Sequence, residues 1–422
     1  MGSERWPRAF WEGAAVRDSE IQPFLWFGYV PAPGAFPISV SPRGPCAAET
    51  AEAPLSRLAA EAAGLWRQAI EACLATCRGA IVVPLSGGLD SRAILAGLLD
   101  HVSAAQIATY TFGVPGAYDY EIGRRVAAAV GTRHRAFDLN QYSYSFERLS
   151  DISRRVAGRT ALFQHAPVSL IEQEYGAGAT QWIGFMGDPL SGSHLPAETG
   201  ATWEQAKQHF VQSNRFAGST RLTPASFDPA HDLPAEPLVD PRLLCYEEQL
   251  DFAVRQTCYT KPLVLLDGGE YVTPFLQPPW VDFSLRVPPC YRRAQYLYKE
   301  MLQSTYPRLF SLPTKNNGGL PLQASRWRRQ VRRLASYART LAGHVHPGLN
   351  YIDFEEGLRR RSDLRTVVCE SLQDLKKRGP VDWIDMEGLW RQHQRRQRNH
   401  ADALTLLASL EINLKTQDKA TT

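Results

Sequence analysis

The chain has 422 residues, enough for two domains or one large one. Hydrophobic residues make up 44% and charged residues 21%, a balance that lets a globular protein bury a sizeable core. The net charge of +4 is too small to argue for nucleic acid or a membrane as a partner on bulk charge. The seven cysteines (Cys46, Cys73, Cys77, Cys245, Cys258, Cys290 and Cys369) are odd in number and scattered. Cys73 and Cys77 stand one helical turn apart with no second Cys or His pair nearby, so neither a disulfide framework nor a zinc knuckle is expected. Charges at Glu4, Arg5, Arg8 and Glu12 interrupt any signal-peptide pattern, and no apolar run is long enough to span a bilayer. A reducing, cytoplasmic setting follows as the expectation.

Residues 1–50 are rich in Pro, Gly and aromatics, with short apolar pieces such as Phe24-Leu25-Trp26-Phe27, and read as irregular or β structure. Leu58, Ala62, Leu65, Ala69 and Cys73 recur at three- and four-residue steps and predict a helix from about Pro54 to Cys77. The pattern then turns α/β. Ala80 to Leu85 reads as a buried strand, Ser91 to Leu99 as a helix and Ile107 to Phe112 as a second strand. Asp119 to Val130 reads as a helix stopped by Gly131, His134 to Leu139 as a third strand, and Gln181 to Gly184 as a fourth after a further helical stretch. Such alternation predicts a doubly wound parallel sheet over residues 51–195. Beyond Leu195 the strand signal fades into Pro-rich loops at 223–241 and 274–289. Residues 196–415 are expected to be mainly helical, and 416–422 a polar, frayed tail. The basic stretches at Arg326 to Arg333, Arg359 to Arg361 and Arg391 to Arg398 read as solvated helix faces, with an anionic partner as the other reading.

The first strand runs into Ser86-Gly87-Gly88-Leu89-Asp90-Ser91, and a helix begins at once. Two glycines let the backbone approach a ligand, the helix N-terminus offers unpaired N–H groups to an anion, and Ser86 and Ser91 add hydroxyl donors. A carboxylate at Asp90 would repel a phosphate unless a divalent cation lay between them, so the loop points to Mg²⁺ as well as phosphate. A Walker-type loop is excluded because no Gly-Lys-Ser/Thr is present.

Ser86 to Ser91 resembles the loop of the N-type ATP pyrophosphatases, which cleave ATP to AMP and pyrophosphate. Within that group, Thr111 to Gly116, Glu121, Arg125, Val126, Ala127 and Gly131 to His134 are similar to asparagine synthetases, as is Pro274-Phe275-Leu276. Gly184 to Gly192 occupies the place of that family's second glycine-rich loop. The resemblance implies that Leu85, Ser86, Gly87, Gly88, Leu89, Asp90, Ser91, Phe112, Ile183 and Gly184 bind ATP, largely through backbone groups. It also implies that Asp90 and Asp188 hold Mg²⁺. The implied reaction is amide ligation: a small-molecule or peptide carboxylate is activated as its acyl-adenylate and attacked by ammonia or an amine.

Several departures bear on the chemistry. The family's glutaminase domain, with its cysteine directly after the initiator Met, is expected to be missing, because Met1 is followed by Gly2. The nitrogen source is therefore expected to be ammonia, an amine, or a separate glutaminase or pathway partner. Phe185 stands where the family carries a Glu or Tyr that helps deprotonate the amine, and Pro189 replaces the Glu of an Asp-Glu pair. Gln295 stands where the family carries a lysine that stabilises the adenylate chemistry. Lys299, one turn on, is a candidate to replace that lysine. Lys315 sits near a family lysine-glycine segment and is a candidate for pyrophosphate. His194 is a candidate base. These changes favour a specialised biosynthetic substrate over ordinary asparagine production. Two other readings stand beside the ligase: a non-catalytic ATP-binding relative, and a tRNA-modifying ATP pyrophosphatase, for which the usual Cys-x-x-Cys pairs are missing.

Overall fold

The computed structural model describes residues 16–32, 34–40, 54–341 and 343–421. Glu4, Arg5, Arg8, Glu12 and Cys46 lie outside them. The α/β pattern is realised as five parallel strands: β1 (Ile81–Pro84), β2 (Ile107–Gly113), β3 (Arg133–Asp138), β4 (Thr180–Trp182) and β5 (Glu270–Val272). Their order is β3-β2-β1-β4-β5. The chain winds one way from β1 through β2 to β3, then crosses back to lay β4 on the other side of β1. The crevice beyond the ends of β1 and β4 is the topological switch point, where open α/β sheets bind ligands. β5 is not signalled by the sequence. Three residues, Glu270-Tyr271-Val272, are too few to show a period, and only pairing with Thr180, Gln181 and Trp182 makes them a strand.

Val82 and Val83 are fully buried because helices cover both faces of the sheet. The helix Leu55–Thr76 supplies Trp66, whose indole N–H reaches the Ala93 carbonyl at 3.3 Å and whose ring lies 4.6 Å from that of Phe275 and 5.2 Å from that of Trp280. The helix Tyr118–Val130 ends at Gly131, in the left-handed region at φ 80°, as the sequence predicts. It can close on the sheet because Gly123 has no side chain: a Cβ there would lie 2.8 Å from the Leu85 carbonyl oxygen.

A second core joins the helices Phe146–Arg155, Ser362–Arg378 and Ala401–Thr421. It carries a buried polar seam: Ser153 donates to Asn413 at 2.8 Å, Asn413 donates to the Thr160 carbonyl at 3.0 Å, and Ser409 accepts from Leu162 N–H at 3.0 Å. Every member is partnered, so the seam fixes how these helices dock.

Two local expectations are corrected. Phe24 to Phe27 is helical, not β: Ile21, Phe24 and Leu25 stand at helical spacing and are buried, and Gly28 ends the turn at φ 79°. The C-terminal helix also continues past Lys415 to Thr421, where a frayed tail is expected. Thr416 is buried and its hydroxyl returns to the Ile412 carbonyl at 2.7 Å, so the helix is still packed at that turn. A third element has no sequence signal: Asp251–Thr260 is a ten-residue π-helix, a form usually confined to single turns.

Candidate active site

The loop Ser86 to Ser91 sits at the switch point. Gly88 N–H donates to Ser86 Oγ at 3.1 Å, Ser86 N–H donates to Ser91 Oγ at 3.2 Å, and the two hydroxyls lie 3.4 Å apart. Leu89 caps the helix Asp90–Leu99, whose first turn therefore faces the loop. Gly87 N–H donates to the Asp119 carboxylate at 2.8 Å, and Lys315 Nζ reaches the same carboxylate at 3.0 Å. An internal carboxylate thus sits between a loop N–H and a lysine. Those are the two kinds of donor that a phosphate group uses.

Lys315 is held over the loop by backbone. Its N–H donates to the Gly87 carbonyl at 2.8 Å and the Thr314 hydroxyl donates to the same oxygen at 3.0 Å. A Cβ on Gly87 would approach Lys315 Cβ at 3.3 Å, so glycine is what lets the two segments touch. Arg92, the residue after the loop, ties the same turn down. Its guanidinium is buried and donates to the carbonyls of Leu309, Leu312 and Pro313 at 3.2, 3.3 and 2.7 Å. Burial lowers its pKa to about 10.

From β4 the chain enters the second loop. Ile183 N–H bonds to the Val272 carbonyl at 2.8 Å, and Met186 adopts a left-handed turn at φ 67° before the short helix Gly187–Leu190. Gly184 and Gly187 press on Asp90: a Cβ at either would lie 2.8 Å from Asp90 Cβ and 2.5 Å from Asp90 Cγ, respectively. Asp90 is consequently half-buried, with the second loop packed directly on its carboxyl. Burial, then the nearby Asp188 charge, push its carboxyl well above the usual carboxylate range, against hydrogen bonds from Tyr298 Oη at 3.1 Å and from Asp188 N–H.

Gln295 lies in this cluster but not in the helix expected for it. The helix is Tyr296–Thr305, and Ala294 and Gln295 are consecutive left-handed residues at φ 54° and 60°. Two such residues store strain of roughly 1–3 kcal/mol each. The kink directs the buried Gln295 amide onto Asp188 Oδ1 and Ser191 Oγ, both at 2.9 Å. Lys299 folds back along the helix, and its Nζ donates to the Ala294 carbonyl at 2.7 Å. Burial lowers its pKa, while the Asp188 charge raises it. Gln295 therefore contacts Asp188 directly, whereas Lys299 is held on the Ala294 carbonyl and feels Asp188 only through its charge.

The remaining candidates lie at the margins. Leu85 is buried, its N–H bonds to Tyr110 O at 2.7 Å and its carbonyl accepts from the Thr111 hydroxyl at 2.9 Å. Phe112, at the end of β2, lies 6.2 Å from the ring of Tyr351. Phe185 is packed in the main core. His194 pairs with Asp251 of the π-helix at 2.9 Å and with Arg255 at 3.3 Å; among the described residues its bonds do not run to Asp188. Three participants carry no motif of their own. Tyr298, Asp119 and Arg92 are single residues, and only the spacing of Asp90 and Arg92 in one helical turn hinted that Arg92 would be turned away from the loop.

A five-stranded parallel sheet with the Ser86 to Ser91 loop at its switch point, faced by a second glycine-rich loop and a lysine, defines a Rossmann-like α/β fold of the ATP-pyrophosphatase type. Residues 61–160 match the family model described as Asparagine synthase. That domain implies an ATP-pyrophosphatase, amide-ligase-like activity. No curated protein matches the chain.

Proposed function

We propose that the protein is an ATP-dependent ligase that activates a carboxylate as its acyl-adenylate and transfers the acyl group to ammonia or an amine. The observation that carries this is the internal Asp119 carboxylate bridging Gly87 N–H and Lys315 Nζ. It marks where a transferred anion would take the same donors. In the proposed reaction a substrate carboxylate oxygen attacks the α-phosphorus of ATP, the α–β anhydride bond breaks, and pyrophosphate leaves with that electron pair. The amine then attacks the acyl carbon, AMP leaves, and the amine proton passes to a base. Ser86, Gly87, Gly88 and Ser91 would hold the departing pyrophosphate, and Lys315 would leave Asp119 to join it.

Asp90 and Asp188 fit a Mg²⁺ ion. Burial and the neighbouring Asp188 charge raise the Asp90 carboxyl above the usual carboxylate range, a repulsion that a cation between them would relieve, and two carboxylates plus phosphate oxygens are what this ion ordinarily takes. Such an ion would supply charge neutralisation for the leaving group. Gln295 would hold Asp188 in place, and Lys299 would supply the positive charge that Gln295 lacks. The substrate pair, read from these altered groups, belongs to a specialised pathway.

The test is ATP–pyrophosphate exchange across a panel of amino acids, dicarboxylates and peptides. Exchange with at least one acid is expected. A non-catalytic ATP-binding relative is the second reading, favoured by the neutral Gln295 and the core-packed Phe185. Measurable ATP binding with no exchange for any acid would establish it over the ligase.

A further inference from the structure

The segment 301–352 contains eight Lys and Arg residues and no Asp or Glu, whereas the whole chain has a net charge of +4, so the remainder carries −4. Six of those arginines are on the helix Arg326–Leu341. From sequence, this helix is expected to present its charges to water. Five of its six arginines do so, and only Arg332 turns inward. Arg332, Ser336 and Thr340, four residues apart, are half-buried on the inner face. Arg332 and Ser336 line a cleft of about 590 Å³, together with Arg124, Arg125 and Tyr118.

The outer face is apolar. Trp327, Val331, Leu334 and Tyr337 are 70%, 51%, 71% and 66% exposed, half of the large exposed hydrophobics among the described residues. The first three fall at i, i+4 and i+7, one continuous stripe, and Tyr337 lies beside it. Arg326 and Arg328 fall on its two edges. A helix with no partner ordinarily buries its apolar stripe; this one leaves both the stripe and five of its six arginines exposed.

The charge pattern decides among occupants. A second copy of this chain would bring another acid-free segment against the first, and like charges would oppose the contact. A nucleic acid would take up the exposed arginines but would leave the stripe of Trp327, Val331 and Leu334 uncovered. A bilayer surface with anionic headgroups supplies both needs: apolar depth for the stripe and negative charge for its edges. Trp and Tyr are also the side chains that settle at that boundary. No helix among the described residues is long and apolar enough to cross a membrane, so the fit is to a surface. We propose that the helix Arg326–Leu341 seats the protein on an anionic membrane, with Trp327, Val331 and Leu334 at the acyl boundary and the flanking arginines on headgroups. This does not depend on the ligase reading.

The test is flotation of the full-length protein with vesicles of phosphatidylcholine containing 30% phosphatidylglycerol, against pure phosphatidylcholine. Binding at least tenfold tighter to the anionic vesicles is expected, weakening as salt rises. The double variant Trp327→Asp, Leu334→Asp changes only exposed side chains. It is expected to lose at least tenfold in vesicle binding with an unchanged melting temperature and unchanged ATP binding. Failure of the wild-type protein to float, or flotation of the variant like wild type, overturns the proposal. So does a wild-type dimer that the variant dissociates without any vesicle binding, which would make the stripe a contact between copies.

Discussion

Replacing Asp90 with asparagine separates what this residue does for the fold from what it does for the site. The substitution keeps the shape and removes the charge. In the wild-type protein Gly184 and Gly187 pack directly on the half-buried Asp90, leaving no room there for another side chain. An ionised Asp90 would gain about 1.5–3 kcal/mol from each of two hydrogen bonds, from Tyr298 Oη and Asp188 N–H. Against this stand a desolvation cost of several kcal/mol and the Asp188 charge. The balance leaves the ionised form about 1–3 kcal/mol worse than a neutral isostere. The pH dependence has a definite sign. The folded pKa is raised above the unfolded value of about 3.9, so the unfolded chain gives up its proton first, and stability falls as pH rises from about 4 through the folded pKa. Without divalent cations, Asp90→Asn is therefore expected to melt about 1–3 °C higher than wild type at pH 8, with the gap closing toward pH 4. Adding Mg²⁺ and ATP should raise the wild-type melting temperature and leave the variant's nearly unmoved, and the variant should lose pyrophosphate exchange. Differential scanning calorimetry over this pH range measures the gap. A variant no more stable than wild type at pH 8 without cations, or one that responds equally to Mg²⁺ and ATP, refutes the reasoning.

Three further variants probe the same site. Lys315→Ala is expected to lower exchange by about 10²–10³ while changing stability by less than about 1 kcal/mol, because its pair with Asp119 is partly exposed; exchange within threefold of wild type removes Lys315 from the pyrophosphate site. Gly187→Ala places a Cβ 2.5 Å from Asp90 Cγ and is expected to cost about 1–3 kcal/mol and abolish exchange, whereas Gly178→Ala, with nothing within 4 Å, should do neither; chemical denaturation compares the two. Lys299→Ala is expected to cut exchange about tenfold at unchanged ATP binding, and an unchanged exchange rate shows that Lys299 does not stand in for the charge missing at Gln295.

The sheet was legible because strands and helices of ordinary length leave a period, and Gly131 ends its helix where a left-handed residue is needed. β5 was not, since three residues acquire strand character only from β4 beside them. The loop at Ser86 was legible for a local reason: its chemistry lies within six consecutive residues. Asp119, Tyr298 and Arg92 were not, because their roles are contacts across 32, 208 and over 200 positions, and no local pattern encodes a distant carbonyl or carboxylate. Gln295 was placed in the right cluster but in the wrong conformation. Nothing about a glutamine announces a left-handed pair, which is held here by Asp188 and Ser191 from another part of the chain.

The bond from Thr314 to the Gly87 carbonyl joins residues 227 positions apart. At translation speeds of about 5–20 residues per second, roughly 10–45 seconds separate the synthesis of the loop from that of the turn that completes it. During that interval the nascent chain carries Ser86 to Ser91 and, later, the second glycine-rich loop, but no Lys315 and no carbonyl ledge for Arg92. A half-made chain can therefore gather the glycines around Asp90 without owning the lysine above them. Competence arrives as a late event, timed by the emergence of residues 309–315 rather than by the folding of the sheet.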